Sequence, residues 1–291
     1  INPVAVRLAR LRCIPPPPRD LVIANADRCA ANCGTRRDTP FSALAQGETA
    51  FPPHVLAGLI SLRDEIEQTE HPWVRELLLF CMSPLLDKLA AKKGKPAPRV
   101  PRTAVRDLFR ERVDRWIEAF ELLDGQPFAE AEQADSRWLP WKPGSSSAVV
   151  TSPPYPGVFD YVGEQDRRLR WLSADPTRVQ DARRKEIGKR FSAPKWTEDM
   201  RVVLWQCCRS LKPDSPIYLV VGDGVMRGKV FRTDHALESL CDVLPMEFVA
   251  VASQERPHFH AQTAQAFGKN ARKEHLVELR RVEGELKPLP G

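Results

Sequence analysis

The sequence lacks any long hydrophobic run. No stretch approaches the roughly 18 to 20 uninterrupted apolar residues that a membrane helix requires. The first residues also lack the charged, apolar and small-residue segments of a secretory signal. Hydrophobic residues make up 42% of the chain and charged residues 28%, a balance typical of globular proteins in water. We therefore expect a cytoplasmic protein without a membrane partner.

Regularly spaced cysteine pairs are also lacking. The 7 cysteines are an odd number and lie scattered along the chain, which favours reduced thiols over a disulfide framework. Cys29 and Cys33 have the spacing of half a zinc site, but no second Cys or His pair has a matching spacing. The sequence therefore predicts no metal.

Negative charge is scarce in two stretches of this chain, whose net charge is +6. Residues 92–115 hold nine Lys or Arg and three acids, and residues 164–190 hold nine and five. A nucleic-acid surface needs such a concentration of positive charge. Solvated helix faces with i,i+4 ion pairs give the same pattern, so both interpretations stay open. The candidate phosphate contacts are Arg167, Arg168, Arg170, Lys189 and Arg190.

Apolar spacing predicts helices in the first half of the chain. Residues 1–13 have a helical pattern behind Asn2 and Pro3, a helix cap and a first-turn proline. Residues 19–53 are rich in turn formers, and we predict an irregular segment there. Three helical patterns follow within residues 54–123, and the basic, proline-rich connector at 92–102 between the last two cannot be helical.

The second half alternates short β-type runs with helical stretches. Such alternation favours an α/β fold with a mainly parallel sheet. We accordingly divide the chain into residues 1–53, a helical insertion at 54–123, and an α/β part at 124–291. In such sheets ligands bind beyond the carboxyl ends of the strands, where both a Ser-Pro-Pro-Tyr loop at 152–155 and the loop at 222–224 are expected.

The Ser-Pro-Pro-Tyr loop suits chemistry on an amine. An exocyclic amine of a nucleobase is a poor nucleophile, because its lone pair is delocalised into the ring, and acceptors for both N–H hydrogens free that pair. Ser152 offers a hydroxyl oxygen and Pro153 a backbone carbonyl, while the two prolines fix the backbone and remove donors. Tyr155 offers a flat face for a base that has left its duplex. The alternative is a proline-rich turn that only closes a strand.

Thr151-Ser152-Pro153-Pro154-Tyr155 after an apolar strand resembles the signature of the amino-methyltransferases that modify DNA on cytosine N4 or adenine N6 with S-adenosylmethionine. Members with Ser in the first position of the tetrad are mostly cytosine-N4 enzymes, whereas Asp or Asn is usual for adenine N6. The resemblance implies a class I methyltransferase fold, a Rossmann-like three-layer sandwich. It also implies double-stranded DNA with a flipped base as substrate, and Ser152, Pro153, Pro154 and Tyr155 as catalytic residues.

The resemblance extends over about two-thirds of the chain. It takes in YVGEQDRRLRWLS and KEIGKR after the tetrad, IYLVVGDG as the next core strand and loop, and SQERP with RKEHLVEL as a closing hairpin. By the same resemblance Asn2-Pro3-Val4-Ala5 continues the family's second strand. Asn2, Pro3 and Thr151 are then the predicted cofactor contacts.

The family's glycine-rich cofactor loop is missing from this sequence, since no Gly-x-Gly follows an apolar strand before residue 148. The chain begins at Ile1 without a methionine. We therefore expect a piece of a longer protein, with an upstream segment or a partner chain that supplies the loop. Three alternatives stay open: an adenine-N6 enzyme, an RNA amino-methyltransferase, and a catalytically inactive nucleic-acid-binding protein of this fold.

Overall fold

The computed structural model of the chain describes residues 2–34, 48–92, 94–122, 129–157, 160–172, 175–188, 192–258, 261–284 and 286. Two of the predicted phosphate contacts, Lys189 and Arg190, lie outside these residues. The chain forms two compact units, which we call the helical unit (Asn2–Gln133 with Gln165–Asp181) and the sheet unit (Ala134–Glu164 with Ala182–Gly291). This division differs from the predicted one, because residues 2–53 share a unit with the helices of 54–123.

The helical unit is built from amphipathic helices. They are α1 (Pro3–Cys13), α2 (Arg19–Asn32), α3 (Pro53–Glu67), α4 (Pro72–Lys88), α5 (Ala104–Glu121) and α6 (Asp166–Trp171), the last preceded by a 3₁₀ turn at Gly163–Gln165. A further helix, α7 (Pro176–Lys185), contains the boundary between the two units. The three helical patterns predicted within 54–123 are confirmed as α3, α4 and α5.

Two expectations about the first fifty residues are wrong. Asn2 caps α1, since its side chain accepts hydrogen bonds from the backbone N–H groups of Val4 and Ala5, so the segment starts a helix and does not continue a strand. Residues 19–32 form α2 rather than an irregular segment, and this helix buries one stripe of small and branched side chains against its neighbours: Val22, Ala26, Cys29 and Ala30. Residues 35–47 of the same predicted segment lie outside the described residues.

The described residues of the sheet unit form six strands and three complete helices. They are β1 (Val149–Thr151), α8 (Ala193–Ser210), β2 (Pro216–Gly222), β3 (Gly224–Met226), β4 (Lys229–Phe231), α9 (Thr233–Cys241), β5 (Met246–Arg256), α10 (Ala261–Phe267) and β6 (Arg272–Arg281). The main sheet has the strand order β1-β2-β6-β5, and β3 and β4 form a separate hairpin. The mixed α/β fold is thus as predicted.

Strand direction differs from the expected mainly parallel sheet. Within the described main sheet, β1 and β2 run parallel, whereas β6 runs antiparallel to both β2 and β5. The reason is connectivity: β5 is followed by a short segment with one helix, and β6 then returns beside it and inserts next to β2. The closing hairpin predicted for residues 253–256 and 272–279 is present.

Only one face of the main sheet is covered within the described residues. Alternate side chains of β2, namely Ile217, Leu219 and Val221, are buried in one apolar core with residues of α8 and α9. On the opposite face the side chains of Val150 and Leu276 are 79% and 50% exposed. We call this second surface the open sheet face.

The described part of the chain contains no helix with both the length and the apolar character needed to cross a membrane.

Candidate functional site

Strand β1 carries the Ser-Pro-Pro-Tyr loop to the carboxyl end of the sheet. The register pairs Thr151 with Leu219 of β2, and the loop follows at once because Pro153 and Pro154 cannot donate to a ladder. Ser152 is exposed, and its hydroxyl donates to the carbonyl oxygen of Val220 at 3.0 Å. The loop therefore reaches the surface at Ser152, whereas Pro154 and Tyr155 are half-buried and Pro153 is buried.

Side chains from other segments fix the backbone of the loop. The indole Nε1 of Trp196 donates to the carbonyl oxygen of Pro154 at 2.9 Å, and the backbone N–H of Tyr155 donates to the hydroxyl oxygen of Tyr161 at 3.0 Å. Tyr161 is held in turn, because its own backbone N–H donates to Oε1 of Glu186 at 2.6 Å. The carbonyl of Pro154 is thus engaged. No described donor makes a hydrogen bond to the carbonyl of Pro153.

Two glycines at the end of β2 let the loop approach the sheet closely. A Cβ atom on Gly222 would lie 2.8 Å from both Cδ2 and Cε2 of Tyr155, and one on Gly224 would overlap the carbonyl oxygen of Pro156. A side chain at either position would displace the loop. Gly222 ends β2 and Gly224 begins β3, so the predicted loop after the core strand is reduced to Asp223 alone.

The hydroxyl group of Tyr155 contacts a carboxylate. Its hydroxyl donates to Oε1 of Glu274 at 2.8 Å, and Oε2 of Glu274 accepts from Nε and Nη2 of Arg256 at 2.9 and 2.7 Å. Burial, followed by the hydrogen bond to Glu274, raises the pKa of Tyr155 to about 12. The hydrogen bond from Tyr155 is the largest cause that holds the pKa of Glu274 below its usual value. At neutral pH the pair is a neutral phenol on a charged carboxylate.

The sequence could not reveal Glu274, Arg256 and Trp196 as parts of this site. Trp196 and Glu274 lie 42 and 119 residues from the loop positions they contact, Arg256 contacts Glu274, and no motif links the three. Only the pairing of Gly222 with Glu274 across β2 and β6 brings the carboxylate beside the loop.

A buried polar cluster lies next to Gly222. Asp223 and His275 are fully buried, and Asp223 Oδ1 is 3.1 Å from His275 Nε2 and accepts from the backbone N–H of Thr233 at 3.2 Å. Arg232 Nη1 lies 3.2 Å from Asp223 Oδ2. Asp223, Asp234 and His275 are groups that can bind metals, and one ligand atom of each lies within 4.8 Å of the others. Because protein donors already contact both oxygens of Asp223, this carboxylate anchors the start of α9.

Three predicted phosphate contacts lie on or beside α6 in the helical unit, where they contact carboxylates. Arg170 lies 3.3 Å from Glu48, Arg167 lies 3.7 Å from the same carboxylate, and Arg168 donates to Asp87. A phosphate would have to displace these partners, so the described contacts favour ion pairs within the unit. Binding of DNA by the three arginines stays a prediction.

The three predicted cofactor contacts are divided between the two units, and their contact with a cofactor stays a prediction. The side-chain oxygen of Asn2 is engaged as the cap of α1, and Pro3 forms the first turn of that helix in the helical unit. Thr151 is half-buried at the end of β1 in the sheet unit. Without the glycine-rich loop that the sequence lacks, the described residues do not fit S-adenosylmethionine.

The two cysteines with zinc-like spacing are structural thiols in the helical unit. Burial raises the pKa of both Cys29 and Cys33 to about 11, so both thiols are protonated at neutral pH and are poor ligands. The Cys33 thiol donates to the carbonyl oxygen of Gly58 at 3.4 Å.

Comparison with known proteins gives a small set of solved structures. No protein-family model and no curated protein matches the chain. Three crystal structures that resemble it are of one protein, TTHA0409, "Putative DNA Modification Methylase" from Thermus thermophilus: a selenomethionine derivative, a second form, and a complex with S-adenosyl-L-methionine. Their sequence identities to this chain are 19%, 20% and 19%, and their TM-scores are 0.32, 0.32 and 0.30.

These likenesses are partial. They cover 54%, 54% and 52% of this chain and 54%, 55% and 53% of the other chains, so this chain spans about half the length of the solved proteins that it resembles. Likeness of this extent does not establish a family.

Proposed function

We propose that this chain carries the catalytic loop of an enzyme that methylates the exocyclic amine of a flipped base in double-stranded DNA, with cytosine N4 as the target. One observation carries the proposal. The hydroxyl hydrogen of Ser152 is directed to the Val220 carbonyl, so the oxygen faces a substrate only as an acceptor. An amine, which presents two hydrogens, matches such an acceptor.

The neighbouring groups support the same substrate. The Pro153 carbonyl is a second acceptor, one residue from Ser152, on a backbone that the prolines make rigid. The half-buried ring of Tyr155 follows two residues later and offers a surface for a base that has been flipped out of the duplex. Two acceptors would draw the amine nitrogen towards tetrahedral geometry and free its lone pair.

S-adenosylmethionine is the proposed methyl donor, as the resemblance of the loop implies. Because the residues present do not form its site, we place the donor on an upstream segment or on a partner chain. The open sheet face and the unpaired outer edge of β1 in the described sheet support this arrangement. Such a segment could extend the sheet from β1 and cover the exposed side chains of Val150 and Leu276.

The choice of cytosine N4 rests on the serine at the first position of the tetrad. Adenine N6 and RNA are the alternative substrates, since the same two acceptors and ring could act on any unstacked amino base. An inactive DNA-binding protein is the alternative from another class.

The test is to change the loop in cells that carry the gene in its natural context, where any partner is present. Nucleoside mass spectrometry of DNA and RNA then measures N4-methylcytosine and N6-methyladenine. We expect N4-methylcytosine in the DNA of the wild type, and a loss of about a hundredfold or more in Tyr155→Ala, because the stacking surface is removed. Tyr155→Ala protein should still bind DNA in a gel-shift assay.

Tyr218→Ala is the matched control, since it removes a half-buried tyrosine of the same unit from the middle of β2. It should keep the methylated base. If N6-methyladenine or methylated RNA is found in place of N4-methylcytosine, adenine N6 or RNA, respectively, is the substrate. If the wild type makes no methylated base, the inactive DNA-binding protein is the interpretation that remains.

A further inference from the structure

We propose that Glu274 is a positioning residue for the base-stacking ring of Tyr155 and that Arg256 orients Glu274 for this role. The inference rests on the proposed function, in which Tyr155 stacks on the target base. It goes beyond the loop motif, because Glu274 lies on β6, 119 residues further along the chain.

The register of the sheet brings the carboxylate to the ring. Gly222 of β2 pairs with Glu274 of β6, and paired residues of neighbouring strands point to the same face of a sheet. Gly222 has no side chain, and the Cδ2–Cε2 side of the Tyr155 ring takes that space. The hydroxyl of the ring is thereby 2.8 Å from Glu274 Oε1.

The carboxylate has a fixed orientation of its own. Both Nε and Nη2 of Arg256 donate to Oε2 of Glu274 at 2.9 and 2.7 Å, which leaves Oε1 directed at the ring. Side-chain exposures of 23% for Glu274 and 41% for Arg256 allow the pair to form at the surface without the cost of deep burial.

The Tyr155 residue is therefore held both at its backbone and at its hydroxyl group. Its backbone N–H donates to Tyr161 and its hydroxyl donates to Glu274. A stacking surface binds a base most tightly when it is rigid beforehand, because binding then costs no further rotational freedom of the ring. Three titratable groups contact or face the Glu274 carboxylate: Tyr155 from the loop, Arg256 from β5 and Arg272 from β6.

The first measurement does not depend on activity. Tyrosine rings are labelled with ¹³C, the resonance of Tyr155 is identified by its loss in Tyr155→Phe, and its titration is followed by NMR up to about pH 11. In the wild type Tyr155 should stay mostly protonated, because its pKa is about 12. In Glu274→Ala its pKa should fall, since the carboxylate that stabilises the phenol is gone. An identical titration in both proteins would overturn the inference.

The second measurement is the amount of methylated base in cells. Glu274→Ala should lower it by about tenfold or more, the value of one hydrogen bond to a charged group. Glu274→Gln keeps an acceptor oxygen for the phenol and should stay within about threefold of the wild type. Glu278→Ala is the matched control, because Glu278 lies on the same face of β6 and contacts Arg280 instead of the loop.

The two proposals fail in different ways. A wild type that makes no methylated base contradicts the proposed function, whatever the titration shows. A wild type that makes it while Glu274→Ala makes as much contradicts only the role of Glu274. The inference is supported if Glu274→Ala lowers both the pKa of Tyr155 and the amount of methylated base. Glu274→Gln should then restore the amount of methylated base.

Discussion

The direction of single hydrogen bonds gives the loop its chemical character. Ser152 donates inward to Val220, Trp196 donates to Pro154, and the prolines contribute no N–H. The proposed contacts for a substrate, Ser152 Oγ and the carbonyl of the buried Pro153, are both acceptors. In the proposed function these acceptors favour an amine as substrate over a carbonyl or carboxylate group.

Gly222→Ala tests the close approach of ring and strand. The new Cβ would lie 2.8 Å from two Tyr155 ring atoms and 3.0 Å from Arg272 Nη1, so the ring must move. We expect the amount of methylated base to fall by about a hundredfold, since misplacement of about 1 Å has that effect. Overpacking should lower the free energy of unfolding by about 1 to 3 kcal/mol.

Gly284→Ala is the control for this change. Its nearest atom, Pro245 Cβ, would lie at an ordinary 3.5 Å, so stability and product should both match the wild type. Wild-type amounts of product in Gly222→Ala would show that the ring position is unimportant.

At the scale of elements, one buried carboxylate connects β2, α9 and β6. Asp223 accepts from the backbone N–H of Thr233 in α9 and of Lys273 in β6, and it lies against His275 and Arg232. Burial acts to raise the pKa of Asp223, but the hydrogen bond and charge of His275, with Arg232, outweigh it and the pKa lies below its usual value. The ionised form of Asp223 therefore stabilises the folded unit.

Asp223→Asn should lower the free energy of unfolding at pH 7 by about 3 kcal/mol, because it removes the buried carboxylate that contacts Arg232 and accepts from two backbone N–H groups. The pKa of Asp223 is depressed in the folded state, so its contribution is present above the unfolded value of about 4 and is lost as pH falls below it. The difference in free energy of unfolding between wild type and variant should therefore shrink as the pH falls below about 4. Urea unfolding monitored by circular dichroism measures it.

Asp242→Asn is the matched control, since Asp242 is exposed at the opposite end of α9. Its effect should stay within about 0.5 kcal/mol. A pH-independent difference for Asp223→Asn would contradict the assigned role of the charge.

Periodicity predicted those elements whose apolar residues are large. Helices α3, α4, α5 and α8 and strands β2, β5 and β6 followed from spaced Leu, Ile, Val and Phe side chains. Helix α2 was missed because its buried stripe includes Ala26, Cys29 and Ala30, which are small and resemble a loop composition. The β3–β4 hairpin has a turn at Arg227-Gly228 with positive φ at both residues, a signal that the sequence carried in its Arg-Gly pair.

The loop motif was predictable because four consecutive residues carry it, whereas its supports are distant in sequence. Trp196 and Glu274 approach the loop only through the fold of the sheet unit, whereas Tyr161 lies six residues from Tyr155. Strand order was unpredictable for a similar reason, since the return of β6 between β2 and β5 depends on pairing over long separations.

At the scale of the whole molecule, the proposed reaction needs a methyl donor, and the described residues form no complete site for one. We therefore expect the 291-residue chain to bind S-adenosylmethionine with a dissociation constant above about 1 mM in isothermal titration calorimetry. Adenosine in place of the cofactor controls for weak binding of the purine alone. A micromolar dissociation constant would contradict the interpretation that the residues present do not fit the cofactor.

The bond from Trp196 to Pro154 also makes the tryptophan a built-in reporter of the loop. Among the 7 tryptophans of the chain, Trp196 has its indole N–H directed at the loop carbonyl at 2.9 Å and is only 1% exposed. A shift of the loop must lengthen this bond and change the chemical shift and exchange rate of that one indole proton. Motion of the loop can thus be followed in solution with no label attached to the loop itself.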